Sequence, residues 1–217
     1  MKELLLIYHR LLSFFGEQGW WPAETPFEVV VGAILTQNTA WRNVERAIEN
    51  LKEAGVLTPQ GLRDLDEARL AELIRPSGYY NVKAKRLKDV MKFLEGGYGG
   101  DLQRMFSEPI SSLRGKILMV KGVGSETADS ILLYAGEKPI FVIDAYTKRV
   151  LSRHGMITDG ASYGDIQDLF MRSLPLDVSL YQEYHALFVR LAKTFCKTKP
   201  LCMGCPLEDG WPTSSGK

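Results

Sequence analysis

The sequence predicts an all-α protein. Through most of its 217 residues, apolar side chains recur at three- and four-residue steps, the spacing of one apolar helix face. Glycine and proline separate these stretches, for example at Gly55 and at Pro76-Ser77-Gly78. The only β-rich run is the four-residue segment 140–143 (IFVI), which stands alone in the sequence. These patterns favour a packed set of helices without a sheet.

The helices follow in chain order. The first has an apolar face of Leu4, Leu5, Tyr8, Leu11, Leu12 and Phe15. The segment 27–37 (FEVVVGAILTQ) is apolar almost all round, so we expect a buried helix there. Glycines at 96–97 and 99–100 are expected to lie beyond the end of a later helix, 82–94. The other predicted helices cover 43–54, 62–75, 110–119, 125–136, 145–153, 163–174 and 180–196.

Composition limits the class of protein. Hydrophobic residues make up 45% of the chain and charged residues 24%, typical of a globular protein with a core. The net charge is only +1, so a nucleic acid would have to be bound by a local basic patch. No apolar run approaches the roughly 20 residues of a membrane helix. The N-terminal segment also lacks the small-residue cleavage site of a signal peptide, so a cytoplasmic protein without membrane contact is expected.

A glycine-containing turn joins two of the predicted helices. Its sequence is Lys121-Gly122-Val123-Gly124, and Ser125 is expected to cap the helix that follows. Glycines permit positive φ and let backbone N–H groups point outward at a helix N-terminus, an arrangement that suits a DNA phosphate. The alternative is an ordinary tight connection between two helices.

Asp144 follows the buried run 140–143 and precedes the helix 145–153. An N-cap is one interpretation of this position. The other is a catalytic carboxylate, partly desolvated and with a raised pKa, that orients water or stabilises a cationic sugar.

Several segments together resemble a known family. Residues 118–135 (LMVKGVGSETADSILLYA) and 141–150 (FVIDAYTKRV) are similar to the helix-hairpin-helix plus Gly/Pro-Asp signature of the endonuclease III superfamily of DNA glycosylases. Residues 19–39 and 75–87 resemble its 3-methyladenine glycosylase branch, and 196–211 resembles its iron–sulfur loop. The matches occur in the family's order.

The resemblance implies a two-lobed helical fold, with one lobe at 24–134 and the other formed by 1–23 plus 135–217. It implies a monomer that binds double-stranded DNA across the cleft, flips out a damaged base and cleaves its N-glycosidic bond. Flipping costs a few kcal/mol. Asp144 takes the position of the essential aspartate, which stabilises the oxocarbenium-like sugar and can activate water.

These residues do not yet identify the damaged base on which the protein acts. Alkylated purines such as 3-methyladenine are expected from the branch that the chain resembles. Alternatives are an oxidised-pyrimidine or mismatch glycosylase, a non-catalytic lesion-binding protein and an iron–sulfur redox or signalling protein.

Bifunctional family members carry a lysine two residues after the second glycine of the hairpin. Glu126 stands there in this sequence, and a carboxylate cannot form a Schiff base. Lys121 lies on the other side of the turn. We therefore predict a hydrolase without AP lyase activity, in which Glu126 either positions the nucleotide or water, or is an ordinary helix-start residue.

Aromatic residues suggest a base pocket. The resemblance places Trp41 at a base-stacking position, with Trp20, Trp21 and Pro22 opposite. Each stack would contribute about 1–3 kcal/mol, and electron-rich rings favour a cationic alkylated base. The alternative is that the tryptophans bury apolar area. Gln37 is expected either to fill the gap left by the flipped nucleotide or to end its helix with backbone hydrogen bonds.

The segment 81–92 is locally basic. Against one aspartate it has five cations: Lys83, Lys85, Arg86, Lys88 and Lys92. They either form a solvated face or contact phosphates, in which case binding weakens steeply with salt. We expect about two of them, Lys83 and Lys85, to contact DNA. Tyr79 or Tyr80 could open the opposite strand or belong to the core.

The three cysteines follow the spacing Cys196-x5-Cys202-x2-Cys205. Clustered thiols in a reducing compartment suggest a metal or iron–sulfur site. The family pattern has four cysteines around a [4Fe–4S] cluster and a longer first gap, and its fourth position is Trp211 here. The cluster would have water, Asp209 or another oxygen at the fourth iron, or would be absent, and zinc is a further alternative.

Overall fold

The computed structural model describes residues 2–158 and 160–209, apart from the side chain of Lys2. This part of the chain contains no β-strand, which confirms the all-α prediction, and none of its helices is long and apolar enough to span a membrane. Its α-helices are α1 (Lys2–Phe15), α2 (Pro26–Leu35), α3 (Trp41–Glu53), α4 (Pro59–Asp64), α5 (Glu67–Leu73), α6 (Tyr80–Tyr98), α7 (Leu102–Phe106), α8 (Ile110–Leu118), α9 (Ser125–Ser130), α10 (Ala145–Arg153), α11 (Tyr163–Ser173) and α12 (Val178–Thr194).

The chain divides into two compact units. One unit, here called the central unit, is continuous and comprises Ala23–Lys138. The other, the terminal unit, combines Met1–Pro22 with Pro139–Lys217. The divisions fall at 22/23 and 138/139, whereas the lobes expected from the sequence are divided at 23/24 and 134/135.

Helix α2 forms the core of the central unit. Its side chains from Phe27 to Leu35 are all buried, as the continuous apolar run predicts. Thr25 accepts a hydrogen bond from the backbone N–H of Glu28 and so caps the helix. The helix ends at Leu35, and residues 36–39 form a turn outside it.

Two predicted boundaries in the central unit are wrong. The expected helix 62–75 is divided into α4 and α5, because the Asp66 carboxylate accepts hydrogen bonds from two N–H groups and starts a new helix. Helix α6 continues past the glycines at 96–97 to Tyr98, since an exposed helical glycine costs only about 1 kcal/mol. It ends where Gly99 takes the left-handed conformation, with φ of 66°. Helix α7 has no counterpart among the predicted helices.

In the terminal unit, the β-rich run 140–143 is a buried connection. Phe141 stacks on Phe170 of α11, with ring centroids 4.0 Å apart. Gln167 donates a hydrogen bond of 2.6 Å to the carbonyl oxygen of Phe141, and the Tyr163 hydroxyl oxygen accepts one of 3.3 Å from the N–H of Ile143. Side-chain groups of α11 thus satisfy backbone groups that a sheet would otherwise pair. The run fixes the backbone that leads into Asp144.

Candidate active site and nucleic-acid interface

The glycine turn joins α8 to α9 in the central unit. Gly122 has φ of +84°, and a Cβ there would lie 2.6 Å from the Arg86 side chain. This position therefore requires glycine for both conformation and space. Gly124 differs from the prediction, because its φ is −94° and a Cβ there would meet nothing within 4 Å. It also takes the N-cap position that was expected for Ser125.

The hairpin, which consists of α8, the glycine turn and α9, is held together by contacts within the central unit. The Arg114 guanidinium on α8 donates two hydrogen bonds, of 2.7 and 3.0 Å, to the buried carboxylate of Asp129 in α9. Val123 is also buried, and its N–H donates to the carbonyl oxygen of Val120 at 3.1 Å. The N–H of Val123 therefore serves the turn itself, and the assignment of Val123 to DNA binding stays a prediction. Lys121 is exposed.

Gln37 lies against the hairpin. Its Nε2 donates to the carbonyl oxygen of Gly122 at 3.1 Å and to Oγ1 of Thr127 at 2.9 Å. Its Oε1 accepts a hydrogen bond from Arg86. The turn 36–39 that follows α2 is thus joined to the glycine turn through one side chain.

The cations of 81–92 have divergent environments. Lys83 is only 1% exposed, which corrects the expectation that it contacts phosphates. Burial and the neighbouring charge of Arg86 lower the pKa of Lys83 to about 8. Lys88 donates to carbonyl oxygens at the end of α4, including that of Leu62 at 2.8 Å. Lys85 and Lys92 are exposed.

The two neighbouring tyrosines, Tyr79 and Tyr80, differ in their exposure to solvent. Tyr79 is 73% exposed and has φ of 46°, a left-handed conformation that is uncommon for an aromatic residue. Tyr80 is half-buried, and the Arg75 guanidinium lies 5.9 Å from its ring centroid. Tyr79 is therefore the tyrosine that is accessible to a partner.

Asp144 caps α10 in the terminal unit. It is 8% exposed, and its Oδ1 accepts a hydrogen bond of 2.6 Å from the backbone N–H of Thr147. Its Oδ2 lies 3.6 Å from Nε2 of His185 on α12, which is also buried. The N-cap interpretation is therefore correct, and it leaves the second oxygen facing an imidazole.

The pKa of Asp144 is lowered from its ordinary value of 3.8, so the expectation of a raised value is wrong. Burial is the largest influence and acts to raise the pKa. His185 and Thr147, through hydrogen bonding and Coulombic attraction, together outweigh it. Asp144 is consequently a carboxylate at neutral pH.

His185 is a functional candidate that the sequence argument missed. The sequence suggests no ligand set for it, because the three histidines are dispersed. A signal was nevertheless present, since His185 lies within the apolar stretch 184–188 (YHALF) of a helix. A titratable group on a buried helix face usually has a polar partner.

The pocket tryptophans belong to different units. Trp20 and Trp21, in the terminal unit, are half-buried with ring centroids 5.7 Å apart, and Pro22 is exposed. Trp41, in the central unit, is half-buried at the start of α3. Glu126 is exposed in the first turn of α9.

The cysteine loop (residues 196–205) contributes to a cavity of about 310 Å³. Cys196, Cys202 and Cys205 all line it, together with His154 and Arg153. The Arg153 guanidinium donates to Sγ of Cys196 at 3.2 Å. Burial raises the pKa of Cys205, with smaller contributions from the two other thiols.

The described residues fit a cluster only in part. No three of their His, Cys, Asp and Glu side chains are grouped so that they could hold a metal ion. The three cysteines nevertheless line one cavity, whereas a [4Fe–4S] cluster takes four ligands. Asp209 is 89% exposed and lies 4.0 Å from Arg10, outside the cavity lining. Trp211 lies outside the described residues.

A glycine hairpin between two helices, followed by a buried run that ends in a helix-capping aspartate, defines the class of protein. Residues 31–176 match the HhH-GPD superfamily of base excision DNA repair proteins. The chain belongs to this superfamily of DNA glycosylases, as the sequence resemblance implies.

Individual relatives agree with this family. The chain is 52% identical over 204 residues to a putative DNA repair glycosylase, MJ1434, of Methanocaldococcus jannaschii, covering 94% of this chain and 93% of the relative. It is similar to the H. pylori 3-methyladenine DNA glycosylase MagIII bound to 1,N6-ethenoadenine, with 29% identity, a TM-score of 0.76, and coverage of 88% and 97%. A non-covalent endonuclease III–DNA complex shares the fold, with a TM-score of 0.80 at 21% identity and coverage of 94% and 92%.

Proposed function

We propose that this chain is a monofunctional DNA N-glycosylase that flips an alkylated purine, such as 3-methyladenine, out of double-stranded DNA and hydrolyses its glycosidic bond. The observation that carries the proposal is the buried, ionised carboxylate of Asp144, held by a helix N-terminus and by His185. The similarity to MagIII supports the choice of an alkylated purine.

The lowered pKa of Asp144 favours one catalytic role over another. An efficient general base has a pKa near the working pH, whereas Asp144 titrates below 3.8. A carboxylate that stays charged is better suited to stabilising the positive charge that develops on the sugar as the base departs. In this mechanism Asp144 stabilises the oxocarbenium-like sugar and orients the incoming water.

The identity of residue 126, in the hairpin, is the reason that we propose no lyase activity. Glu126 stands where the bifunctional members of the family carry a lysine. A glutamate cannot supply the amine of a Schiff base. The attacking group is then water, and the product is an abasic site with an intact strand.

The phosphate contacts are proposed from exposure. The hairpin offers Lys121, Gly122 and Gly124 to a phosphate, and Lys85 adds an exposed cation. Trp41 and the segment 20–22 (WWP) are the proposed stacking groups for the extruded base. Gln37 and Tyr79 are the proposed residues that enter the duplex.

We also propose that Cys196, Cys202 and Cys205 hold a [4Fe–4S] cluster, whose fourth ligand is not a cysteine. The cluster would supply structural order to the cysteine loop. The Arg153 guanidinium, which donates a hydrogen bond to the sulfur of Cys196, would be the cation beside that ligand.

The decisive experiment measures base release. The protein is incubated with methylated duplex DNA, and released bases are identified by mass spectrometry, beside duplexes with thymine glycol or a G·T mismatch. We expect release of 3-methyladenine, and Asp144→Asn should abolish it while DNA binding persists. Release only from one of the other duplexes would replace the proposed substrate. Binding without release from any substrate would contradict an enzymatic function.

Borohydride trapping tests the monofunctional mechanism. With wild-type protein and a cleavable duplex, we expect no covalent protein–DNA complex, because no amine attacks the sugar. A complex that disappears in Lys121→Ala would show that the lysine across the turn acts as the nucleophile, and would refute the proposal.

A further inference from the structure

A buried ammonium lies beneath the proposed duplex-opening residues. Lys83 projects from the first turn of α6 into the central unit and is 1% exposed. Its Nζ donates to the carbonyl oxygen of Leu35 at 2.8 Å, to Oγ1 of Thr39 at 2.7 Å and to the carbonyl oxygen of Ser77 at 2.7 Å. An ammonium has three donors, and three acceptors are present.

The three acceptors come from separate parts of the chain. Leu35 is the last residue of α2, Thr39 lies in the turn that follows it, and Ser77 lies in the short 3-10 helix before α6. The Thr39 hydroxyl also donates to the Ser77 carbonyl oxygen at 2.5 Å. The Lys83 side chain therefore joins two loops, 36–40 and 75–79, to each other and to α6.

These two loops carry the residues proposed to enter the duplex. Loop 36–40 carries Gln37, and its next residue, Asn38, has φ of 53°. Loop 75–79 ends in Gly78 and the exposed Tyr79, both with positive φ. Burying an ammonium is unfavourable unless its hydrogen bonds are made. The Lys83 ammonium makes all three of its hydrogen bonds only when loops 36–40 and 75–79 lie at one fixed distance from each other.

We propose that Lys83 is a positioning residue for base extrusion, and that its ammonium holds loops 36–40 and 75–79 so that Gln37 and Tyr79 enter the duplex together. This inference rests on the proposed function of the chain as a base-flipping glycosylase. It assigns to Lys83 no contact with DNA or with the reacting atoms.

The test compares two lysines of the same helix. Lys83→Met removes the ammonium between the loops. Lys88→Met is the matched control, because Lys88 also donates to backbone carbonyl oxygens, but those of residues 62, 63 and 65. Thr39→Val is a second variant, which removes a hydroxyl from the same network and leaves the lysine in place. Thermal unfolding of each variant establishes that it is folded.

The readout is single-turnover base release from one lesion in a duplex and in a single strand. A single strand needs no opening, so a loop-positioning defect should affect it little. We expect Lys83→Met to slow release from the duplex by about 100-fold, the loss that a misplacement of about 1 Å can cause even far from the chemistry. Release from the single strand should change much less. Thr39→Val should follow the same pattern more weakly, and Lys88→Met should slow both substrates equally or neither.

Extrusion is also followed directly with 2-aminopurine next to the lesion, whose fluorescence rises when stacking is lost. Lys83→Met should bind the duplex but give a smaller rise than wild type. Equal slowing on duplex and single strand, or no slowing, would overturn the inference. If wild type cleaves no lesion, the proposed function fails and the fluorescence comparison still decides the role of Lys83. No fluorescence rise with wild type would refute extrusion and the inference with it.

Discussion

Removal of the His185 imidazole should shift the pH dependence of base release. In His185→Leu an apolar side chain replaces the group whose Nε2 lies 3.6 Å from Oδ2 of Asp144. Asp144 is only 8% exposed, so solvent cannot replace that partner. Burial, which raises the pKa of Asp144, would then be opposed only by the hydrogen bonds of Thr147. The pKa of Asp144 should therefore rise.

The magnitude follows from the separation of the two groups. His185 lowers the pKa of Asp144 through a hydrogen bond and through Coulombic attraction. A partner of this kind within about 4–6 Å is worth about 1–3 pKa units, so its loss should raise the pKa by a similar amount. The acidic limb of the rate profile should therefore move upward by about 1–3 pH units. Because a shift in a folded-state pKa is also a change in stability, His185→Leu should lower the free energy of unfolding where Asp144 is ionised.

The sign of the stability effect is also fixed. The folded-state pKa of Asp144 lies below its ordinary value of 3.8. Its contribution to stability is therefore fully present above about pH 3.8, and it is lost as the pH falls through the folded-state value. The difference in stability between wild type and His185→Leu should therefore shrink in acid, as the pH falls through the folded-state pKa of Asp144.

The assay is single-turnover base release between about pH 4 and about pH 8, combined with urea unfolding at both ends of that range. His185→Gln retains a hydrogen-bond donor and should shift the acidic limb less than leucine. His9→Leu removes an exposed histidine of α1 and should leave the limb in place. A rate that falls equally at every pH, with an unmoved acidic limb, would refute the assignment of the Asp144 charge to His185.

Three further predictions follow from the structure. Gly122→Ala should destabilise the protein by about 1–3 kcal/mol and weaken binding to abasic duplex DNA, because φ is +84° and its Cβ would lie 2.6 Å from Arg86. Gly124→Ala, its control, should change stability by less than about 0.5 kcal/mol. Asp129→Asn should cost about 1.5–3 kcal/mol in urea unfolding, because it weakens the charged hydrogen bonds between the part-exposed Arg114 and the buried Asp129. Protein purified without oxygen should show iron, sulfide and broad visible absorption; iron-free protein with full base release would contradict a functional cluster in the cysteine loop.

Patterns that depend on neighbouring residues were predictable. The buried helix α2 follows from a continuous apolar run, and the position of the hairpin follows from two glycines between helical segments. Asp144 was identifiable because an aspartate after a buried run and before a helix is both a cap and a candidate carboxylate. The direction of the Asp144 pKa shift was not predictable from the sequence, because His185 lies 41 positions further along the chain.

Lys83 and Lys85 illustrate the same division within one helix. Charge alone treats these two lysines as equivalent. The buried face of α6 includes Lys83, Leu87, Met91 and Leu94, at steps of three and four residues, so helical spacing alone already places Lys83 toward the core. The sequence pattern could thus have separated the two lysines. It could not have shown what the buried ammonium binds.

The amino-acid sequence by itself determined the helical class, the order of the motifs and the carboxylate at the start of α10, because these depend on intervals of a few residues. Only the tertiary structure decided the partners of the polar side chains. Lys83 meets oxygens 48 and 44 positions away, and Gln37 meets a hairpin carbonyl 85 positions away. A buried charge is stable only with such partners, and chain folding alone brings them within hydrogen-bond distance.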